Sequence, residues 1–182
     1  MWSMSTLHHG DLRASVLAAA GKLMEKEGLA GLSVREAARR AGVSHNAPYR
    51  HFPDRDALLA ALATEGFVDL AKALENRFGR ELGEAYVRFA LAHPQRFRLM
   101  FGGQLALDRY PELRAQADAT HGRLTAAFAG LGAEAKFAAA AAWSLVHGLA
   151  NLILDRHLEN SDDFVKRVIG AIRFAVGTQR SA

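Results

Sequence analysis

The sequence predicts an all-α protein of about nine helices. Three observations support this fold class: no run alternates apolar and polar residues as a half-buried strand does, β-branched residues are few, and Ala, Leu, Arg and Glu are abundant. Half of the 182 residues are hydrophobic, which is typical of a globular chain with room for a core domain and a small additional module.

The first two helices are predicted from apolar spacing and from the residues at their ends. Helix one runs from about Gly10 to Glu27, where apolar residues recur on one helical face, and Gly28 ends it. Helix two follows Ser33, which opens a Ser-x-x-Glu pattern; there the hydroxyl and the carboxylate reciprocally satisfy free amides at a helix start. Gly42 is well placed to end this helix in a left-handed conformation.

The third predicted helix contains a proline close to its start. Ser44 is positioned to cap a body of about seven residues that ends before Pro53. Pro48 conflicts with this start, because it lacks the N–H for the first intrahelical bond and its ring crowds the cap carbonyl. We therefore predict a tight or distorted first turn held by tertiary packing. A fourth helix is predicted at about 54–76.

Five further helices are predicted beyond Gly79, separated by Gly, Pro and Asn-Ser breaks. They lie at about 81–92, 94–101, 111–129, 134–157 and 162–178. The last two have wide apolar faces, and such a pair is either the core of a bundle or an interface with a second subunit. The residues predicted for the interface are Leu149, Ile153, Val165, Val168, Ile169 and Ile172.

Helices two and three, with the glycine turn between them, have the lengths of a helix-turn-helix, whose second helix can enter the DNA major groove. A generic helical hairpin has the same spacing, so charge is a useful second observation. From Ser33 to Arg55 there are five arginines and two acidic residues, which accounts for three of the four net positive charges of the chain. With a sequence pI of about 9.8, this favours nucleic acid as a partner.

Side chains around this turn are of the types that bind DNA. Arginines and backbone amides at helix starts can hold phosphates, tyrosine and histidine can bond them, and residues in an exposed first turn can read base edges. The residues predicted to contact DNA are Ser33, Arg35, Ser44, His45, Asn46, Ala47, Tyr49, Arg50, His51 and Arg55.

The run LSVREAARRAGVSHNAPYRHFPDRDALLAAL resembles the N-terminal DNA-binding domain of the TetR (tetracycline repressor) family. The matching features are the Gly-Val-Ser turn, an aromatic-x-His-Phe near the end of the recognition helix, and a basic residue followed by an acid and two leucines. The resemblance covers roughly residues 10–58. Two positions depart from the pattern: Asn46 stands where glycine is frequent, and Pro48 where leucine is common. Farther on, WSLVHGLANL resembles a C-terminal effector domain named for its Trp-His-Gly signature.

This resemblance implies a three-helix helix-turn-helix domain at 1–54 and a helical effector-binding and dimerisation bundle at 55–182. It also implies a homodimer joined through the last two helices. Its two reading heads would face half-sites about one helical turn of DNA, ~34–36 Å, apart or somewhat further, in a palindromic operator. The expected activity is transcriptional repression, with release of the operator when an unknown small-molecule inducer binds.

The stretch AYVRFALAHPQRFRLMFGG interleaves aromatic residues with arginines, as a ligand cavity lined by aromatics would. An ordinary core with solvated arginines looks the same, and isolated histidines are equally ambiguous, so both interpretations stay open. The residues predicted for effector binding are Phe89, Phe97, Met100, Phe101, His121, Trp143 and His147.

Several function classes lack support in the sequence. There is no cysteine, no nucleophile elbow, no phosphate-cradling glycine loop and no metal-ligand spacing among the eight histidines, so we expect a non-enzyme without cofactor or metal. The alternative is a helical carrier or sensor of an apolar ligand, which would not need the basic segment 33–55. We expect a cytoplasmic protein with no membrane partner, because even FAAAAAWSLVHGLANLIL is interrupted by polar residues.

Overall fold

A computed structural model describes residues 9–171 and confirms the all-α class. In this range the chain forms eight α-helices and no strand. The helices are α1 (His9–Glu27), α2 (Val34–Arg40), α3 (Arg55–Ala73), α4 (Gly79–Ala92), α5 (Pro94–Phe101), α6 (Pro111–Ala126), α7 (Ala135–Leu154) and α8 (Asp162–Ala171). Three short 3-10 helices accompany them, at Ala47–Arg50, Leu107–Arg109 and Ala129–Glu134. The predicted third helix is the first of these 3-10 helices. Residue Ile172 and the end of the last predicted helix lie outside the described residues.

The chain forms two compact units, each built from two stretches of sequence. The first contains Met1–Phe67 and Gln95–Ala115, and the second contains Val68–Pro94 and Gln116–Ala182. Helices α3 and α6 each contribute residues to both units. The predicted boundary at residue 54 separates a DNA-binding domain from an effector-binding domain. This assignment of roles stays a prediction.

In the first unit, the carboxylate of Glu25 on α1 satisfies the amides at the start of α5. The backbone N–H groups of Gln95 and Arg96 donate to its two oxygens at 3.2 and 3.0 Å. Gly66 lets α3 and α5 approach closely, since a Cβ there would lie 2.6 Å from the sulfur of Met100. The Glu25 carboxylate on α1 and the close approach at Gly66 on α3 therefore both hold α5 within this unit.

The predicted ends of α2 are confirmed. The Ser33 hydroxyl accepts a hydrogen bond from the Glu36 N–H at 3.1 Å. The reciprocal bond predicted for the Glu36 carboxylate is wrong, because its oxygens accept from arginine side chains instead. At the other end Gly42 has φ +70°, and the Val43 N–H donates to the Ala38 carbonyl at 3.1 Å, which is the Schellman pattern of a helix stop.

In the second unit, α4 packs against α7 and α8. Four of the residues predicted for a dimer interface lie inside this packing, each no more than 5 % exposed: Leu149, Ile153, Val165 and Ile169. Val168 is half-buried. These four residues of α7 and α8 are therefore core within a single chain, which is the other interpretation that the sequence left open.

The segment Ala129–Leu154, which contains α7, is long and apolar enough to cross a membrane by length and composition alone, with a mean hydropathy of 1.6. A core helix of a globular protein passes the same test, and α7 packs on α4. Only 28 % of its most apolar window is buried within the chain. A broad apolar face of α7 is therefore left exposed in the single chain.

Candidate nucleic-acid interface and effector cavity

The residues after the Gly42 turn, 44–51, form what we call the recognition segment. Its backbone bonds connect residues three apart: the Ala47 N–H donates to Ser44 O at 3.1 Å, Tyr49 to Asn46 O at 3.3 Å and His51 to Pro48 O at 2.9 Å. These are 3-10 bonds, so the predicted tight first turn is confirmed. The predicted Ser44 cap is wrong, because Asn46 precedes the 3-10 helix and its side chain makes no cap bond.

Pro48 explains why this segment is not an α-helix. It has no N–H to donate to the Ser44 carbonyl, and in an α-helix its ring would collide with that oxygen. The Pro48 side chain is buried, and the 3-10 helix contacts both α1 and α2. Pro48 thus anchors the segment to the core, and the neighbouring side chains point outward.

The ten residues predicted to contact DNA fall into two groups by exposure. Six of them are exposed on or near the recognition segment: Arg35, Ser44, His45, Asn46, Tyr49 and Arg50. Tyr49 is 44 % exposed, which is high for a large aromatic side chain in a folded domain. These six side chains, on α2 and in the segment that follows its turn, are therefore accessible from solvent.

The other four take part in the fold. Ser33 caps α2, Ala47 is half-buried, and the Nε2 atom of His51 is buried without a partner in the described part of the chain. Arg55 donates from Nε to Leu32 O at 2.9 Å and from a terminal nitrogen to Leu29 O at 2.6 Å. Its guanidinium therefore holds the loop between α1 and α2, a role that sequence spacing alone does not reveal.

The arginines of this region differ in how far they are neutralised. Hydrogen bonds from Arg39 and Arg40 lower the pKa of Glu36 to about 2, so Glu36 is ionised at neutral pH and offsets their charge. Arg40 also pairs with Glu27 at 3.0 Å. By contrast, the side chains of Arg35 and Arg50 make no hydrogen bond or ion pair with another residue among residues 12–171, whose side chains the structure describes. They are the two cations here with guanidinium groups available to a polyanion.

A second candidate site is an apolar cavity of about 380 Å³ in the second unit. It is open to solvent on one side, and its walls come from α4, the end of α6, the 3-10 helix Ala129–Glu134 and α7. The lining residues are Gly79, Leu82, Gly83, Tyr86, Leu124, Ala127, Phe128, Gly130, Leu131, Ala139, Ala142, Trp143 and Val146. Its size lies within the usual range of small-molecule sites, and no charged residue lines it. Among residues 9–171 no cluster of three or more His, Asp or Glu side chains could hold a metal ion.

Three side chains form a hydrogen-bonded group at this cavity. The Trp143 Nε1–H donates to the Tyr86 hydroxyl at 2.9 Å, and the same hydroxyl lies 2.9 Å from Nδ1 of His147. Burial raises the pKa of Tyr86 and lowers the pKa of His147, so both are neutral at pH 7. Both hydrogen bonds of the Tyr86 oxygen therefore join uncharged side chains.

The predicted effector residues are not all brought to this cavity. Trp143 lines it, and His121 packs edge-on against Trp143 with ring centroids 5.6 Å apart. Phe89 packs on His93 instead. Phe97, Met100 and Phe101 belong to the first unit, where Phe101 lies 5.0 Å from the ring of Phe97 and 5.3 Å from that of Phe67.

The prediction grouped aromatic residues that are close in sequence, whereas α4 and α5 belong to different units. Sequence reasoning missed Tyr86, the most buried aromatic residue of the cavity. One signal was available. Tyr86 lies one helical turn before Phe89 on the apolar face of α4, where a buried hydroxyl requires a polar partner.

A short helix, a glycine turn and an outward-facing basic recognition segment define a helix-turn-helix DNA-binding regulator. Comparison with known families is consistent with this class. Residues 16–62 match the family described as bacterial regulatory proteins, tetR family, and residues 80–172 match the tetracyclin repressor-like C-terminal domain. The chain therefore belongs to the TetR family of transcriptional regulators.

Solved structures share the fold. A protein of unknown function from Rhodococcus sp. RHA1 is 36 % identical, with a TM-score of 0.78 over 92 % of this chain and 94 % of that one. The TetR family regulator PfmR from Thermus thermophilus is 23 % identical, with a TM-score of 0.59 over 85 % and 94 %. NalD of Pseudomonas aeruginosa, the secondary repressor of the MexAB-OprM multidrug efflux pump, is 21 % identical, with a TM-score of 0.60 over 89 % and 93 %. No curated protein matches the sequence.

Proposed function

We propose that this regulator is a repressor that binds a palindromic operator as a homodimer and releases it when a small-molecule inducer binds. The observation that carries the proposal is the recognition segment, in which buried Pro48 anchors the backbone while polar and cationic side chains face outward. The description of NalD as a repressor supports the direction of regulation, since that protein has the same fold.

Within the segment, we assign two kinds of contact. Arg35, Tyr49 and Arg50 bind phosphates, because they are exposed and carry donors of suitable reach. His45 and Asn46 read base edges, where an Asn amide can bond adenine and a His nitrogen can bond guanine. Arg55 is left out of this contact set because two of its guanidinium N–H groups bond the Leu29 and Leu32 carbonyls and hold the side chain against the loop before α2.

The exposed face of α7 supports dimerisation. Its residues recur at spacings of four, three, four and four positions and form a stripe that is mostly small and apolar. This α7 stripe consists of Phe137, Ala141, Ser144, Gly148 and Leu152. A Cβ added at Gly148 would meet nothing within 4 Å, so a partner helix has room to approach there. The stripe replaces the buried residues Leu149 and Ile153 as the proposed contact surface.

Helix α6 offers a route from the cavity to DNA release. It begins in the first unit, and its residue Leu124 lines the cavity in the second. Because α6 is one continuous helix, a ligand that displaces its C-terminal end at the cavity would also shift its N-terminal end. A difference of ~3 kcal/mol between DNA-competent and DNA-released states is enough to change operator occupancy about a hundredfold.

The test is selection of binding sites from randomised duplex DNA, followed by affinity measurements across a salt series. We expect an enriched palindrome whose affinity falls steeply with salt, as phosphate neutralisation by a dimer requires. Weak binding with no enriched sequence would overturn the operator proposal and favour a helical ligand sensor. An enriched sequence without internal symmetry would overturn the dimeric arrangement alone.

A further inference from the structure

We infer that the effector of this regulator is an uncharged, predominantly apolar small molecule that occupies the cavity beside Tyr86 and Trp143. This inference rests on the proposed function, because it specifies the chemical class of the inducer. It excludes carboxylates and ammonium compounds as principal effectors. Three features of the cavity carry it: the charge of its lining, the use of its polar atoms, and the origin of its volume.

The first feature is the lack of an ionic partner. All thirteen lining residues are apolar, aromatic or glycine. Moving a charged group out of water into such surroundings is unfavourable by several kcal/mol unless an opposite charge or several hydrogen bonds compensate. A charged ligand would find no opposite charge here, whereas an apolar ligand gains free energy from the surface that it buries.

The second feature is that the polar side-chain atoms at the cavity already bond one another. The Tyr86 oxygen accepts from the Trp143 Nε1–H and shares a hydrogen bond with Nδ1 of His147, each at 2.9 Å. The indole proton is thus engaged and the Tyr86 oxygen bonds two side chains, and the group is neutral because burial lowers the pKa of His147 and raises that of Tyr86. The three side chains therefore present a neutral wall to the cavity.

The third feature is that small residues create the volume. Gly83 on α4 and Ala139 and Ala142 on α7 line the cavity. At Gly83 a Cβ would lie 3.2 Å from Val146, so a side chain there would press on the opposite wall. A leucine in place of an alanine on this wall would occupy space that a ligand needs.

The experiment measures ligand binding by fluorescence of Trp143 in the Trp2→Phe variant, where it is the remaining tryptophan. The probes are 1-decanol, decanoate and decylammonium below their aggregation concentrations, because they share one alkyl chain and differ in head-group charge. We expect 1-decanol to change the Trp143 emission and to bind at least about tenfold more tightly than either charged probe. Equal or tighter binding of a charged probe would overturn the inference.

Two cavity-filling variants locate the site. Ala142→Leu projects into the cavity from α7, and Ala127→Leu does so from its more exposed rim, where folding is less at risk. Both should weaken 1-decanol binding at least about tenfold, because the added carbons occupy the ligand volume. Ala126→Leu is the matched control, since Ala126 is exposed next to Ala127 but does not line the cavity, and it should bind normally. Unchanged affinity in Ala127→Leu would overturn the assigned location.

These measurements need no DNA, so they separate this inference from the proposed function. If 1-decanol binds as expected while operator affinity is unaffected, the assignment of ligand class stands and ligand-induced release fails. If the operator is found but no neutral probe binds at Trp143, repression stands and the inferred effector class fails.

Discussion

The recognition segment and the cavity differ in polarity and in exposure to solvent. The segment contains the four-residue 3-10 helix Ala47–Arg50, most of its polar side chains are exposed, and one buried proline holds it in place. The cavity lies among long helices, is apolar, and bonds its few polar side chains to one another. Specificity of the recognition segment for DNA therefore depends on which side chains are exposed. Specificity of the cavity for a ligand depends on the volume that its lining side chains do not fill.

The largest effect on operator affinity is expected from removing Arg35 and Arg50, the two arginines with guanidinium groups available to DNA. The double variant Arg35→Ala/Arg50→Ala should weaken operator binding at least about a hundredfold. In a dimer it should also reduce the slope of log affinity against log salt by about 3–4, because four phosphate contacts are lost. The measurement is a binding titration at several salt concentrations. Arg39→Ala is the control, since its guanidinium is already paired with Glu36, and an equal loss of slope there would contradict the distinction between paired and available arginines.

A second variant tests whether Arg55 serves the fold or the DNA. Arg55→Ala removes the bonds to Leu29 and Leu32 and should lower the free energy of unfolding by about 1–3 kcal/mol. Urea denaturation measures this, with Arg35→Ala as the exposed control that should leave stability unchanged. The salt slope of operator binding should stay as in the parent protein. A slope reduced as in Arg50→Ala would instead assign Arg55 to a phosphate.

The third change tests the hydrogen-bonded group at the cavity. Tyr86→Phe keeps the ring but removes the oxygen shared by Trp143 and His147, so two buried nitrogen atoms lose a partner. We expect about 1–2 kcal/mol lower stability in urea unfolding. Tyr49→Phe, which removes an exposed hydroxyl, is the control and should unfold like the parent. Equal stability of Tyr86→Phe and the parent would show that water replaces the lost hydroxyl.

The smallest effect is expected in the pH dependence of stability. Burial lowers the pKa of His147 below its ordinary 6.5. As the pH falls below about 6.5, the unfolded chain therefore binds more protons than the folded one, and stability decreases toward the folded pKa. His147→Asn, whose side-chain amide can bond the Tyr86 hydroxyl as donor or acceptor, should reduce the loss of stability between pH 7.5 and 5.5 in urea unfolding. His157→Asn, at an exposed position, should keep that loss, and the same change in both variants would contradict the role of His147.

The helices were predictable because their ends depend on neighbouring residues. Ser33 and Gly42 act within one turn of α2, and Pro48 distorts its own turn, so sequence spacing located all three effects. The individual sites were less predictable because burial and pairing depend on distant residues. Arg55 is bound by carbonyls more than twenty positions earlier in the chain.

The cavity was even harder to predict from the sequence than the DNA-contacting residues. Tyr86 and Trp143 are 57 positions apart and meet only when α4 packs on α7. The apolar faces of α7 and α8 were recognised in the sequence, but periodicity does not state whether a face packs within the chain or against a second copy. Leu149 and Ile153 proved to be core, while neighbouring Leu152 remained exposed.

The bond from Glu25 to the start of α5 has a consequence for how the chain is made. The two hydrogen bonds of its carboxylate join residues 70 and 71 positions apart, so they close a long loop that contains α2, α3 and α4. A ribosome-bound chain that ends at residue 67 lacks both amide partners of Glu25 and the Met100 side chain that lies against Gly66. During synthesis, the N-terminal unit can therefore be completed only after part of the other unit has emerged.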